Sequence, residues 1–178
     1  MCRFQPLPRV WLLSDARNDA GLEDALARLP RGSGFVFRHY HLEDRARRAR
    51  FAQLARIARA RGHAVILAGD AATARRWGAA GVYGPAALEP ARGLIRLAAA
   101  HDLREIAAAN RARADAVLLS PVFPTRSHPG AAALGPMRFR WLAARARMPV
   151  IALGGMDRRA ARRLGWPRWA AIDGLSRS

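Results

Sequence analysis

Eight short apolar runs, separated by longer segments with helical periodicity, constrain the fold of this chain more than any other feature. Runs that are apolar at nearly every position are typical of strands buried on both faces of a parallel sheet. Strands that alternate with helices predict βα units. The sequence therefore predicts an α/β fold with strands at Val10–Ser14, Phe35–Arg38, Ala64–Leu67, Gly81–Tyr83, Leu94–Ala99, Ala116–Ser120, Val150–Leu153 and Ala170–Ile172.

Helical segments are predicted between most of these strands. The clearest is Glu43–Arg61, where Phe51 and Leu54 share one face and Gly62 follows as a C-terminal stop. Eight βα units match a closed (β/α)8 barrel, the TIM barrel, which typically has about 250 residues. Because this chain has 178 residues, we expect a small barrel with a truncated last helix. A doubly wound open sheet is the alternative. The other predicted helices are Ala20–Leu29, Ala71–Trp77, His101–Arg113, Pro136–Arg147 and Asp157–Leu164.

Length and composition indicate one globular domain over residues 1–178. Hydrophobic residues make up 51% of the chain, too many for a disordered protein, and no linker or repeat divides it. No apolar run approaches the roughly 20 residues of a membrane helix, and the first residues lack the apolar core of a secretory signal. A single cysteine, Cys2, excludes an internal disulfide. We expect a cytoplasmic protein.

All of the positively charged side chains counted in the net charge are arginines. There is no lysine, and the formal net charge is +18. Such a charge indicates either a polyanion-binding surface or arginines that coat the outer faces of helices. The arginines from Arg45 to Arg61 follow one predicted helix without interleaved exposed aromatic residues, which favours solvated helix faces. We expect no specific nucleic-acid partner and no membrane partner. The absence of lysine excludes Schiff-base chemistry and a Walker motif.

Polar residues and glycines follow three of the predicted strands at the carboxyl ends, where parallel barrels place their ligands. Gly154 and Gly155 open a helix, so the backbone could approach an anion, although a plain tight turn is the alternative. Arg38 ends the second strand, either as a ligand or as a surface residue. The loop after the sixth strand carries donors suited to a phosphate, unless it is only a solvated loop: Thr125, Arg126, Ser127 and His128.

These loops resemble motifs of the thiamine phosphate synthase/TenI family. Residues 120–128, Ser-Pro-Val-Phe-Pro-Thr-Arg-Ser-His, are similar to the family loop Gly-Pro-Val-Phe-Pro-Thr-x-Thr-Lys. Residues 149–156, Pro-Val-Ile-Ala-Leu-Gly-Gly-Met, are similar to its phosphate-binding turn. The similarity extends from the first strand to the last, with weaker matches at Arg38, Gly69-Asp70, Gly81–Tyr83 and His101.

The resemblance implies a TIM barrel of thiamine biosynthesis. Such proteins couple hydroxymethylpyrimidine diphosphate to a thiazole phosphate and release pyrophosphate. It implies that Arg38 contacts the diphosphate and that Asp70 binds Mg²⁺, and we take Arg38 and His128 as the candidate catalytic residues. The thiazole-phosphate site is assigned to Thr125, Arg126, Ser127, Gly154 and Gly155.

Departures from the family pattern concentrate in the diphosphate half of the site. The glutamine and lysine that flank the family arginine are Val36 and Tyr40 here, and Gly69 replaces the asparagine before Asp70. Residues 84–88 contain no second carboxylate for Mg²⁺, which favours several oxygen ligands from carboxylates and phosphates. Asp173 replaces a phosphate-binding serine. We therefore expect a chain that binds thiazole phosphate but couples it slowly or not at all.

Three other functions stay open. TenI-type tautomerases isomerise a thiazole carboxylate phosphate on the same barrel, but their histidine falls on Pro121 here, so His101 or His128 would have to substitute. A catalytically degenerate binder of phosphorylated ligands is the second. The third is a polyanion- or nucleic-acid-binding protein that uses its arginine-rich surface. In each enzyme-like case the partners are phosphorylated small molecules, and a homo-oligomer is compatible with the sequence.

Overall fold

A computed structural model describes residues 6–125 and 132–175 of the chain. Eight parallel strands form a closed barrel in chain order, and β1 closes it by pairing with β8, so that Leu12 lies opposite Ala171. The predicted barrel is thereby confirmed, and the open sheet is excluded. The strands are β1 (Val10–Leu13), β2 (Gly34–Phe37), β3 (Ala64–Leu67), β4 (Gly81–Tyr83), β5 (Ile95–Ala100), β6 (Ala116–Leu119), β7 (Val150–Ala152) and β8 (Trp169–Ala171).

Helices cover the outside of the barrel. The connection between β4 and β5 holds only a 3₁₀ helix, Pro85–Leu88, and a second 3₁₀ helix, Ala16–Gly21, precedes α1. No helix follows β8 within the described residues, which agrees with the predicted truncation of the last helix. The α-helices of the described chain are α1 (Leu22–Arg28), α2 (Asp44–Ala60), α3 (Ala71–Arg76), α4 (Leu103–Ala112), α5 (Gly135–Ala143) and α6 (Arg158–Leu164).

The core has two layers because successive strand residues point to opposite faces. Trp11, Val36 and Ile151 fill the barrel interior, whereas Leu12 and Phe35 pack outward against the helices. The interior is so tight that a Cβ atom at Gly34 would lie 2.0 Å from the ring of Trp11. A small barrel thus accommodates one large aromatic side chain by placing a glycine beside it.

His63 joins the turn before β2 to α1 through buried hydrogen bonds. The Ser33 N–H donates to Nδ1 of His63 at 3.1 Å, and Nε2 lies 3.1 Å from the Leu26 carbonyl oxygen. A carbonyl accepts and a backbone amide donates, so these partners fix the neutral tautomer with its proton on Nε2. His63 is only 4% exposed. Burial lowers the pKa of His63 below its ordinary value.

We expect the free energy of unfolding to decrease as the pH is lowered through 6.5, because unfolded His63 binds a proton there and folded His63 resists it. The pKa of buried His39 is also lowered by burial, so it acts in the same direction. Each such histidine contributes at most about 1.4 kcal/mol per pH unit between its unfolded and folded pKa values. Urea unfolding at pH 7.5 and pH 5.5 measures the decrease.

The matched variants for this pH dependence are His63→Gln and His101→Gln. The first removes a buried titrating group, so we expect it to be less stable at pH 7.5 but to lose less stability on acidification. The second changes an exposed residue and should keep the pH dependence of the parent. An undiminished pH dependence in His63→Gln would show that His63 is not its source.

Candidate functional site

A cavity of about 360 Å³ opens at the carboxyl ends of the barrel strands. Its volume falls within the usual range for small-molecule sites, roughly 300–1,000 Å³. Polar side chains reach it from separate strand ends: Arg38 follows β2, Tyr83 ends β4, His101 follows β5, Thr125 follows β6 and Asp173 follows β8. The fold therefore gathers residues that lie far apart in the sequence around one opening.

Four of the predicted substrate and catalytic residues line this cavity. They are Arg38, Thr125, Gly154 and Gly155. The other predicted residues of the β6 loop lie outside the described part of the chain, namely Arg126, Ser127 and His128.

Asp70 is not among the residues that line the cavity. It caps α3, where one carboxylate oxygen accepts from the Thr73 N–H at 2.7 Å and the other accepts from the Thr73 hydroxyl at 2.8 Å. Its role as a metal ligand stays a prediction.

The turn after β7 requires both of its glycines. Gly154 and Gly155 have φ values of 92° and 61°, which lie in the left-handed region. A Cβ atom at Gly154 would lie 2.6 Å from Cα of Pro121, and one at Gly155 would lie 2.6 Å from the Pro124 carbonyl oxygen. The Phe123 N–H donates to the Gly154 carbonyl at 3.1 Å, which holds the β6 loop against the turn. Packing alone therefore accounts for the Gly-Gly pair.

The same turn carries backbone donors. No hydrogen bond among the described residues uses the N–H groups of Gly154 and Gly155, and both residues line the cavity. The start of α6 is different, because the Asp157 carboxylate accepts from the Ala160 N–H at 2.7 Å. The Asp157 carboxylate therefore takes one N–H group of the first turn of α6, and the turn before the helix provides donors that no described residue uses.

Arg38 is held in place from several sides. Its Nη2 lies 2.7 Å from Oδ2 of Asp15, and its backbone N–H donates to the Ser14 hydroxyl at 2.8 Å. Its carbonyl oxygen accepts from Nη2 of Arg47 at 2.9 Å. Burial alone would raise the pKa of Asp15, but hydrogen bonds from Arg17 and the charge of Arg38 outweigh it and lower that pKa. Arg38 therefore enters the cavity as one member of an ion pair.

A hydrogen-bonded chain begins at buried Ser14, whose hydroxyl accepts from the Arg38 N–H, and runs to partly exposed Asp19 and Arg50. The Ser14 hydroxyl lies 2.7 Å from Nδ1 of His39, Nε2 of His39 lies 2.7 Å from Asp19, and Nε of Arg50 donates to Asp19 at 2.8 Å. The order of groups is that of a Ser-His-Asp triad. However, Ser14 is fully buried and its oxygen accepts from the Arg38 N–H, so no substrate can reach it. These residues support Arg38, and sequence reasoning missed them.

Arg17 and Asp173 form a second charged contact at the rim. Nη1 of Arg17 lies 3.7 Å from Oδ2 of Asp173, and Nε of Arg17 lies 2.9 Å from Oδ1 of Asp15. Asp173 lines the cavity, so the carboxylate that replaces the family serine has a cation beside it. Arg17 was not predicted, since nothing near it in the sequence signals a site.

His101 lines the cavity next to a carboxylate. Its Nδ1 lies 3.0 Å from Oε2 of Glu105, and the same oxygen accepts from the His101 N–H at 2.5 Å. A carboxylate at one ring nitrogen orients the imidazole, which leaves Nε2 as the nitrogen that can exchange a proton with a ligand. His101 is therefore the cavity histidine among the described residues.

The described residues do not fit a magnesium site built from several carboxylates. They contain no group of three or more His, Cys, Asp or Glu side chains placed to hold a metal ion. Asp70 is a single carboxylate outside the cavity lining, and each of its oxygens accepts one hydrogen bond from Thr73. We therefore derive no step of the chemistry through Mg²⁺.

Exposed arginines occur all around the barrel. They include Arg56 on α2, Arg111 on α4, Arg138 on α5 and Arg159 on α6. Because these helices surround the barrel, the charge does not gather on one face, as a binding surface for nucleic acid would require. No described helix has the length and apolar character needed to cross a bilayer.

The fold and the cavity define a TIM-barrel protein with a small-molecule site at the carboxyl ends of its strands. The chain belongs to the thiamine monophosphate synthase family, TMP-TENI, whose sequence model matches residues 13–165. Proteins of this family bind phosphorylated small molecules and typically use Mg²⁺. The resemblance seen in the loop motifs is thereby confirmed.

Solved structures agree on the fold. The thiamine phosphate pyrophosphorylase from Pyrococcus furiosus is 22% identical with a TM-score of 0.80, over 96% of this chain and 88% of that one. The native KDPGal structure is 14% identical with a TM-score of 0.63, over 97% of this chain and 85% of that one. Citrate synthase SbnG is 12% identical with a TM-score of 0.58, over 94% and 87%. No curated protein matches the chain. At these identities the structural matches establish the fold alone.

Proposed function

We propose that this protein binds a thiazole phosphate in the cavity and is at most a slow thiamine phosphate synthase. The observation that carries the proposal is the pair of N–H groups at Gly154 and Gly155, which no described residue uses, at a turn that lines the same cavity as Thr125. Backbone N–H groups in a left-handed turn form a concave site suited to an anion. Ser127 and Arg126 belong to the same proposed phosphate site by their positions in the motif. A cytoplasmic location is part of the same proposal.

The chain's own residues would act mainly by binding and orientation. The turn and Thr125 would hold the phosphate, and the thiazole ring would lie in the cavity that Tyr83 and Arg38 also line. Holding the ring in one orientation is the part of a coupling reaction that needs no metal. Arg38 and His128 would supply charge to a departing pyrophosphate, and Asp70 stays the proposed ligand of Mg²⁺.

Titration calorimetry with hydroxyethylthiazole phosphate tests the binding. We expect a dissociation constant below 1 mM, since a few charge-assisted hydrogen bonds of about 1.5–3 kcal/mol each exceed the roughly 4.1 kcal/mol that 1 mM represents. The unphosphorylated alcohol should bind at least tenfold more weakly, by roughly one such bond. Absence of binding at millimolar phosphate ester would contradict the proposal.

A tautomerase is the second candidate, and His101 favours it. His101 is oriented by Glu105 and lines the cavity, so its Nε2 could move a proton on a bound thiazole carboxylate phosphate. Pro121 occupies the position of the family's tautomerase histidine, so His101 would have to act from a different strand end.

A further inference from the structure

Asp173 introduces a negative charge into a cavity that is proposed to bind a phosphate. It follows β8 and lines the cavity together with Gly154 and Gly155. A second carboxylate, Asp157, also lines it. A phosphate at the glycine turn would therefore meet carboxylates that repel it, unless a cation compensates for them.

Arg17 is placed beside Asp173 by a buried residue of its own 3₁₀ turn. Nδ2 of Asn18 donates to the Leu13 carbonyl at 3.0 Å and to the Ile172 carbonyl at 2.9 Å. These two bonds tie the turn after β1 to the residue just before Asp173. Asn18 is 6% exposed, so the fold fixes the backbone that carries Arg17, and the Arg17 side chain reaches Asp173 at the partly exposed rim.

The charges around Arg17 alternate along the rim. Arg38 contacts Asp15 at 2.7 Å, Asp15 contacts Arg17 at 2.9 Å, and Arg17 contacts Asp173 at 3.7 Å. Two guanidinium groups and two carboxylates sum to zero. Arg38 is already balanced by Asp15, so removal of Arg17 would leave this side of the cavity with a net negative charge.

We propose that Arg17 is a specificity-determining residue that neutralises Asp173 and so allows the cavity to accept a phosphate. The inference rests on the proposed binding of a thiazole phosphate. Arg17 acts through Asp173, because it is not among the residues that line the cavity. Its effect should therefore depend on the charge of the ligand and on the presence of the Asp173 carboxylate.

The test is a double-mutant cycle read by titration calorimetry with hydroxyethylthiazole phosphate and its uncharged alcohol. We expect Arg17→Ala to weaken phosphate binding about three- to fivefold, as the loss of a partly exposed ion pair would, and to leave the alcohol unaffected. Arg17→Lys should retain most of the affinity. Asp173→Ser should bind the phosphate more tightly than the parent. Adding Arg17→Ala to it should weaken phosphate binding less than the same change does in the parent, because only the contact of Arg17 with Asp15 is then lost.

Arg111→Ala is the matched control, because Arg111 is an exposed arginine in the last turn of α4, at the opposite end of the barrel from the cavity. Thermal unfolding of each variant checks that the barrel still folds with the stability of the parent. If Arg17→Ala weakened the alcohol equally, or weakened the phosphate equally in the Asp173→Ser background, Arg17 would be only structural and the inference would be wrong. If neither the parent nor Asp173→Ser bound the phosphate, the proposed function itself would be overturned.

Discussion

Supplied with hydroxymethylpyrimidine diphosphate, thiazole phosphate and Mg²⁺, the protein is expected to form thiamine phosphate orders of magnitude more slowly than about 1 per second, the lower end of ordinary enzyme turnover. Departure of pyrophosphate needs cations at the leaving group, and a metal ion there contributes several kcal/mol. In the described chain, Asp70 is bound to Thr73 and Arg38 shares its charge with Asp15. The proposed diphosphate half of the site would therefore lack most of the stabilisation that the reaction requires.

The rate is measured as thiamine phosphate formed per protein chain, with the protein omitted as the blank. A matched variant restores two family residues, Tyr40→Lys and Gly69→Asn. Tyr40 is 66% exposed, and a Cβ atom at Gly69 would meet only Leu67 at 3.4 Å, so both changes fit. We expect the double variant to be faster than the parent. Turnover of the unmodified protein at about 1 per second would instead show that residues such as Arg126 replace the missing cations.

Much of the fold could be predicted from local pattern. Each of the eight apolar runs overlaps a strand, and the predicted helix Glu43–Arg61 matches α2 within a residue at each end. These elements could be predicted because buried strands are apolar at nearly every position and an amphipathic helix has apolar residues at helical spacing. The segment between β4 and β5 gave no clear pattern, since it forms only a short 3₁₀ helix. The helix predicted to end at Arg147 ends at Ala143, because alanines and arginines favour helix without specifying where it stops.

The residues of the candidate site differ in whether local sequence or tertiary contacts determine their positions. Gly154 and Gly155 could be predicted, because a turn after a strand needs particular residues locally. The pairing of Arg17 with Asp173 could not, since the two lie at opposite ends of the chain and meet only when β1 pairs with β8. Asp70 shows that one local pattern can have two interpretations. Its carboxylate resembles a metal ligand of the family, but it also lies three residues before Thr73, which is the spacing of a helix N-cap.

Replacing Arg38 by alanine is expected to weaken binding of hydroxyethylthiazole phosphate by roughly tenfold to a hundredfold. A charge-assisted hydrogen bond to phosphate contributes about 1.5–3 kcal/mol, and each 1.4 kcal/mol is tenfold in Kd. The Arg38 side chain is 18% exposed, so solvent screens it only partly. Its removal also leaves the Asp15 carboxylate with one cation fewer, which adds repulsion to the lost attraction.

The comparison variant is Arg56→Ala, which removes the same charge from the exposed face of α2. Isolated surface charges contribute close to nothing, so calorimetry at about 0.15 M salt should give an unchanged Kd for this variant. Arg38→Lys should fall between the two, because an ammonium keeps the charge but loses the two-pronged contact of a guanidinium. Equal losses for Arg38→Ala and Arg56→Ala would mean that the ligand is held by the diffuse positive potential of the arginine surface. In that case the cavity would not be the phosphate site, and polyanion binding would become the better account of this chain.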